Sequence, residues 1–211
     1  MNVHLPRIYP ITDTRISGLS HLDQVVRLVN GGARFIQLRE KYASPRDFYD
    51  AAKDVIAFAA ERSVTIIIND RVDIALVSNA AGVHLGQDDM PPEHARELLG
   101  PRAIIGYSTH TFDQACAAVD LPVDYIAYGP IFQTATKENP DAVVGTEELK
   151  GIRNSIGRFP LVAIGGISRD NLNSVIDAGA DSAAIIGAIL SDPSNIAAQY
   201  GYLNSIARRL K

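Results

Sequence analysis

Two aspartates and a short run of cations carry the first chemical signal in this sequence. Asp70 closes the apolar run "TIIIND", and Asp89 ends "GVHLGQDD". Upstream lies "QLREK", Gln37 to Lys41. Alternation along a strand puts Gln37, Arg39 and Lys41 on one face, with Glu40 between them. Three polar groups pointing the same way, two of them cationic, suit a multiply charged anion. The bland alternative is a strand end with solvated charges. Carboxylates on neighbouring strand ends can share a hard cation, and Mg²⁺ takes one or two carboxylates plus phosphate oxygens. Each aspartate could instead cap a helix, since Asp70 precedes "RVDIAL" and Asp89 precedes "PPEHARELL". Taken together, beside the cations, they favour a metal.

Other apolar runs end in polar groups too. "GYSTH" places Ser108, Thr109 and His110 together. A Ser–His dyad invites a nucleophile-and-base reading. Nothing fixes an acid partner, so a hydroxyl that orients a substrate is the better expectation. "YGPIFQTATK" passes from a buried-looking strand into Gln133, Thr134, Ala135, Thr136 and Lys137. A strand that merely stops needs only a turn, and Gly129-Pro130 already offers one. The two hydroxyls and the cation suit a bound phosphate.

The elements that would position these residues follow from periodicity. Strand candidates are 7–13, 35–40, 65–70, 82–86, 103–109, 124–131, 161–166 and 182–189. Several are nearly continuous apolar runs, as expected of parallel strands covered on both faces. Helices with recognisable starts lie between them. One opens at Ser20 and closes at Gly31 and Gly32. Another has Ser44 as N-cap and Pro45 at its first position. A third runs from Ser168 to near Gly179, and the last runs from Asp192 to a basic C-terminal turn. Eight such units predict a single-domain (β/α)8 TIM barrel over 1–211, near the short limit of that fold; an open doubly wound sheet would leave two or three runs unexplained. The active site of such a barrel lies at the C-terminal strand ends. Glycine-rich ends at strands 7 and 8 ("AIGGIS" and "IIGAI") are its usual phosphate site.

Composition narrows the function. The chain is 46% hydrophobic and 21% charged, enough for a full-sized core. A net charge of −4 argues against a general nucleic-acid binder. The single cysteine, Cys116, cannot form an internal disulfide and reads as a small buried hydrophobe. No apolar run reaches the ~18 residues of a spanning helix. A soluble cytoplasmic protein with no membrane partner is expected.

In order along the chain, "QLREK", "ND", "HLGQDD", "GYSTH", "GPIFQTATK" and "AIGGI" resemble the motifs of the thiamine phosphate synthase family, also called thiamine-phosphate pyrophosphorylases. The resemblance covers nearly the whole chain. It implies a (β/α)8 barrel that joins hydroxymethylpyrimidine diphosphate to hydroxyethylthiazole phosphate, releasing diphosphate. It further implies that Gln37, Arg39, Lys41 and Asn69 hold the pyrimidine diphosphate. Asp70 and Asp89 would bind Mg²⁺, and Ser108 would contact the pyrimidine. Thr134, Ala135 and Thr136 would line the thiazole phosphate site, with Lys137 reaching toward the diphosphate. Gly166, Ile186 and Gly187 would close over the thiazole phosphate. Ser108, Lys137 and Arg39 would be the catalytic set. Gln133 departs from the proline frequent in the family, which bears on loop geometry. Chemistry by loss of diphosphate to a pyrimidine methyl cation needs no protein nucleophile. It gains from cations on the leaving group and from exclusion of water. The loop after strand 6 would be the lid. The rival is a thiazole tautomerase of the same barrel family using His110, which would leave the diphosphate clamp and the aspartates without a task. The expected partners are the two substrates, and a homodimer is left open.

Overall fold

The apolar runs become strands because each alternate residue finds a different core. In β3 (Thr65–Asn69), Ile66 and Ile68 face the surrounding helices, while Ile67 turns into the barrel. The computed structural model describes residues 3–134, 136 and 141–207. The other strands are β1 (Ile8–Thr12), β2 (Phe35–Leu38), β4 (Gly82–Leu85), β5 (Ile104–Thr109), β6 (Tyr125–Tyr128), β7 (Leu161–Ile164) and β8 (Ser182–Ile185). All pair in parallel in sequence order, and β8 closes on β1 through Ile8–Ala183, Tyr9–Ala184 and Pro10–Ile185. The result is the expected closed (β/α)8 barrel.

Tyr9, Ile11, Phe35, Ile67, Tyr125, Ala127, Val162 and Ala184 pack inside it. Two residues further along several strands the same inward face turns polar. Phe35 is followed by Gln37, Ile67 by Asn69 and Gly106 by Ser108. The C-terminal end of the barrel is therefore the chemical end.

The outer layer is α1 (Thr14–Ser17), α2 (His21–Asn30), α3 (Pro45–Ala60), α4 (Val72–Ser78), α5 (Pro92–Leu99), α6 (Phe112–Ala118), α7 (Gly145–Ile156), α8 (Leu172–Asp177), α9 (Gly187–Leu190) and α10 (Ile196–Ala207). Ser20 and Ser44 cap α2 and α3 as expected, accepting from the N–H of Asp23 and Asp47 at 3.0 and 3.1 Å. Ser168 does not start α8. Its hydroxyl accepts from Asp170 N and its N–H donates to Asn171 Oδ1, so 168–171 is a turn and Asn171 is the N-cap. The last helix likewise begins with a 3₁₀ turn (Pro193–Asn195), and its expected basic end lies outside the described residues. β6 stops at Tyr128, short of the expected 131. Pro130 has no N–H to extend the ladder. β8 stops at Ile185, where the glycine of "IIGAI" opens α9.

The N-terminal end of the barrel is tied by one device used twice. Arg96 on α5 donates to Asp124 Oδ2 and to the carbonyls of Gly100, Ala103 and Pro122, while Asp124 accepts from Ile105 N. Arg153 on α7 does the same with Asp181 and the carbonyls of Gly157, Phe159 and Gly179, while Asp181 accepts from Leu161 N. Among the described residues, no helix is long and apolar enough to cross a membrane.

Candidate active site

The polar strand ends open into one cleft of about 1220 Å³. Pockets for a single small ligand commonly fall within ~300–1,000 Å³, so this one lies at the large end of that scale. Gln37, Arg39, Lys41, Asn69, Asp70, Asp89, Ser108, His110, Thr134, Thr136, Gly166, Ile186 and Gly187 all line it. Ala135 and Lys137, and with them part of the expected lid, lie outside the described residues.

The β2 end places two neighbouring cations at the cleft, each paired with its own carboxylate. Arg39 pairs with Asp13, and Lys41 with Asp70. Glu40, between them, turns away. It accepts from Thr14 Oγ1 at 3.0 Å, from the N–H groups of Tyr42 and Ala43 at 2.8 and 3.2 Å, and meets His21 Nε2 at 3.3 Å. Burial pushes the Glu40 carboxyl up, but these donors win and hold it below its ordinary value. The Glu40 carboxylate thus pins the loop and takes no part in pairing Arg39 or Lys41.

Asp70 and Asp89 come together without capping helices; Arg71 occupies the N-cap of α4 and Pro91 that of α5. Asp70 sits at φ 64°, a left-handed conformation rare outside glycine, while its N–H donates to His84 O at 2.8 Å. Such strain clusters at functional sites. Asp89 Oδ2 accepts from Gly86 N at 2.6 Å, and its carboxyl neighbours that of Asp70. Burial, aided by the Asp70 charge and opposed by Lys41, pushes the Asp89 carboxyl up to about 6. Asn69 Nδ2 is buried with no hydrogen-bond partner among the described residues, a free donor at the edge of the same cluster.

Across the cleft, Thr136 N donates to Thr134 Oγ1 at 3.3 Å, and a Cβ on Gly187 would lie 3.9 Å from Thr136 Oγ1. Gly166, at φ 63°, has a second duty besides any ligand. A Cβ there would sit 2.4 Å from Gln133 O and 2.8 Å from Phe132 Cβ, so the glycine seats the β6 loop against β7. His110 Nδ1 donates to Gly129 O at 2.8 Å and lies 3.5 Å from Asp141 Oδ2, while its backbone N–H donates to Gln114 Oε1 at 2.8 Å.

The family model described as thiamine monophosphate synthase matches residues 8–189, most of the chain. The chain belongs to the thiamine monophosphate synthase family. It is an enzyme of that family. A thiamine-phosphate synthase of Koribacter versatilis is 44% identical over 203 residues, covering 93% of this chain and 94% of that one. One of Methanosarcina barkeri is 38% identical over 96% of this chain and 91% of its own. The solved thiamine phosphate pyrophosphorylase from Pyrococcus furiosus superposes with a TM-score of 0.86 at 34% identity, covering 97% of this chain and 96% of that one.

For a thiamine monophosphate synthase family member, the aspartate pair suits Mg²⁺ on chemical grounds. Two neighbouring carboxyls, one held above its ordinary range, are a donor set of the kind a hard cation takes. No group of three or more His, Cys, Asp or Glu that could hold a metal occurs among the described residues. Asp70 and Asp89 would supply the one or two carboxylates that Mg²⁺ takes alongside phosphate oxygens and water. Sequence reasoning passed over Asp13, Tyr9, His84 and Tyr125, and gave Glu40 no task. The signal for His84 was there: a histidine inside the apolar run "GVHLG", buried to 6% exposure, where burial lowers its pKa to about 4 and keeps the ring neutral. Tyr9 and Tyr125 read as ordinary core residues, because their partners are distant in sequence.

Proposed function

We propose that this enzyme condenses hydroxymethylpyrimidine diphosphate with hydroxyethylthiazole phosphate, giving thiamine phosphate and diphosphate. Thiamine phosphate synthesis follows from the family; the route is our reading. The observation that carries it is the sharing of one cleft by the Lys41–Asp70–Asp89 cluster and the Thr136–Gly187 wall. The first suits a diphosphate with a hard cation, and the second a monophosphate.

In this reading Gln37 and Ser108 orient the pyrimidine ring. Arg39, Lys41, Asn69 and Lys137 hold the diphosphate. Asp70 and Asp89 would hold Mg²⁺, which supplies charge neutralisation on the leaving group. The C–O bond to the pyrimidine methylene breaks, and its electron pair leaves with the diphosphate. The thiazole nitrogen then donates its lone pair to the methylene carbon. No proton moves through the protein in that step, so donors fixed on the diphosphate and a dry cleft are what the chain provides. Thr134, Ala135, Thr136, Gly166, Ile186 and Gly187 bind the thiazole phosphate. We place the enzyme in the cytoplasm, with small-molecule substrates and no nucleic-acid or membrane partner.

The test is incubation of the protein with both substrates and Mg²⁺, read by formation of thiamine phosphate and diphosphate. Absence of thiamine phosphate, with isomerisation of a thiazole substrate in its place, would hand the site to the tautomerase reading and to His110.

A further inference from the structure

Five side chains join into one hydrogen-bonded chain across the barrel interior, from β2 to β5. Gln37 Nε2 donates to Tyr9 Oη at 3.1 Å. Tyr9 Oη lies 3.0 Å from Tyr125 Oη, which lies 3.0 Å from His84 Nδ1. His84 Nε2 lies 2.9 Å from Ser108 Oγ. Gln37, Tyr9, Tyr125 and His84 are all buried. The His84 ring stacks on Tyr125 with centroids 5.4 Å apart. Room for that stack comes from Gly106, where a Cβ would fall 2.1 Å from Tyr125 Cζ and 2.4 Å from His84 Nδ1.

With the Gln37 amide nitrogen toward Tyr9, counting protons gives the chain one direction. Each hydroxyl has one proton to give, and a neutral imidazole has one. Tyr9 already accepts from Gln37, so its own proton goes to Tyr125. Tyr125 then donates to His84 Nδ1, and His84 donates from Nε2 to Ser108. If His84 carried its proton on Nδ1 instead, Tyr125 would donate back to Tyr9. The Tyr9 proton would then be buried with no acceptor in the chain, a costly arrangement. In the favoured direction the Ser108 proton remains for the cleft, and Gln37 Oε1 remains as an acceptor that the chain does not use.

We propose that this chain sets the hydrogen-bond polarity of the pyrimidine subsite, making Ser108 a donor to a ring nitrogen and Gln37 an acceptor from the exocyclic amine. Tyr9, Tyr125 and His84 are then positioning residues. Among the described residues Tyr125 does not line the cleft, so it acts only through its neighbours. The inference rests on the thiamine phosphate synthase reading and deepens it by naming the substrate feature selected. A 4-amino pyrimidine offers a donor beside an acceptor. Its 4-oxo analogue offers a carbonyl beside an N–H, the inverse pattern, and meets donor with donor.

Two measurements test this. The first is the histidine tautomer of the ligand-free wild type by ¹⁵N NMR, which is expected to show His84 protonated on Nε2. The second is the ratio of kcat/KM for the 4-amino over the 4-oxo pyrimidine diphosphate. Wild type should favour the amine by at least ~10². Tyr125→Phe should cut that ratio by roughly 3- to 10-fold, one neutral hydrogen bond, with the KM for thiazole phosphate unchanged. His84→Gln keeps a donor near the Nε2 position and should stay closer to wild type. It also serves if Tyr125→Phe fails to fold. A wild-type His84 protonated on Nδ1, or an amino-to-oxo ratio untouched in Tyr125→Phe, would overturn the proposal. Wild type that forms no thiamine phosphate from either pyrimidine, yet shows the Nε2 tautomer, would refute the functional reading and leave the chain's direction standing.

Discussion

Replacing Asp89 by Asn should stabilise the metal-free protein while removing its activity, and the size of the gain follows from the site. The Asp89 carboxyl is pushed up from its ordinary 3.8 to about 6 by burial and by Asp70. Such a rise corresponds to about 3 kcal/mol as a ceiling. Asp89 is only half-buried, so solvent screening reduces this to on the order of 1 kcal/mol. The sign follows from linkage. The folded-state pKa lies above the unfolded one, so the folded state retains the proton longer. Below about pH 4 both states are protonated and there is no penalty. Stability falls as pH rises from there, and above about pH 6 the penalty is complete. Asn carries no charge and still accepts from Gly86 N. Asp89→Asn should therefore melt roughly 2–4 °C above wild type at pH 8, with the gain vanishing near pH 4. Mg²⁺ with diphosphate should raise the wild-type melting temperature and leave the variant's unchanged. The assay is thermal unfolding across pH, with and without Mg²⁺ and diphosphate, alongside thiamine phosphate formation. A variant that is less stable at pH 8, or that is still stabilised by Mg²⁺ and fully active, would refute the account of this pair.

Lys137→Ala should lower kcat by on the order of 10² to 10³ with a smaller change in the KM for the pyrimidine diphosphate, because charge on the departing diphosphate grows as the C–O bond breaks. Steady-state and single-turnover kinetics check this, and a change confined to KM would make Lys137 a binding group only. His110→Ala should retain measurable synthase activity, since its Nδ1 is engaged by Gly129 O and the reaction needs no protein base; complete loss in a folded variant would assign it acid–base work. Arg96→Ala leaves Asp124 without its partner at a mostly buried site and should cost about 3 kcal/mol, with kcat at 25 °C preserved in the folded fraction; denaturant unfolding reads the loss.

The barrel was legible because its strands repeat one pattern. "TIIIND" reads as buried on both faces, and Ile66, Ile67 and Ile68 divide between the two cores accordingly. Caps that depend on neighbours in sequence, Ser20 and Ser44, were equally readable. Ser168 was not, because the same residue type can cap a helix or close a turn, and Asn171 decides which. Gln37, Arg39, Asn69, Asp70 and Ser108 could be placed at the cleft from strand ends, whereas Tyr9 and His84, which also line it, were passed over. What could not be read locally was pairing at long range. The hydroxyls of Tyr9 and Tyr125 meet across 116 residues of sequence, and each side chain taken singly is an unremarkable aromatic in an apolar strand.

The two ends of the barrel differ in how far their polar groups are satisfied, and that difference bears on how the site is maintained. At the N-terminal end Arg96 and Arg153 bind their aspartates and the loop carbonyls around them. At the C-terminal end Asn69 Nδ2 has no partner among the described residues, Asp70 holds a left-handed backbone, and Asp89 is kept above its ordinary pKa. Each of these is destabilising in the ligand-free protein, and in the proposed reading a diphosphate and a cation would supply an acceptor for Asn69 and a counter-charge for Asp89. Such strain persists only when the surrounding structure over-determines it. The strands fix both ends at once: Asp124 precedes Tyr125 on β6, and Asp181 precedes Ser182 on β8. A clamp that fixes the start of a strand also fixes its register and hence its chemical end. Weakening a clamp should therefore lower the melting temperature well before it alters the geometry that binds substrate.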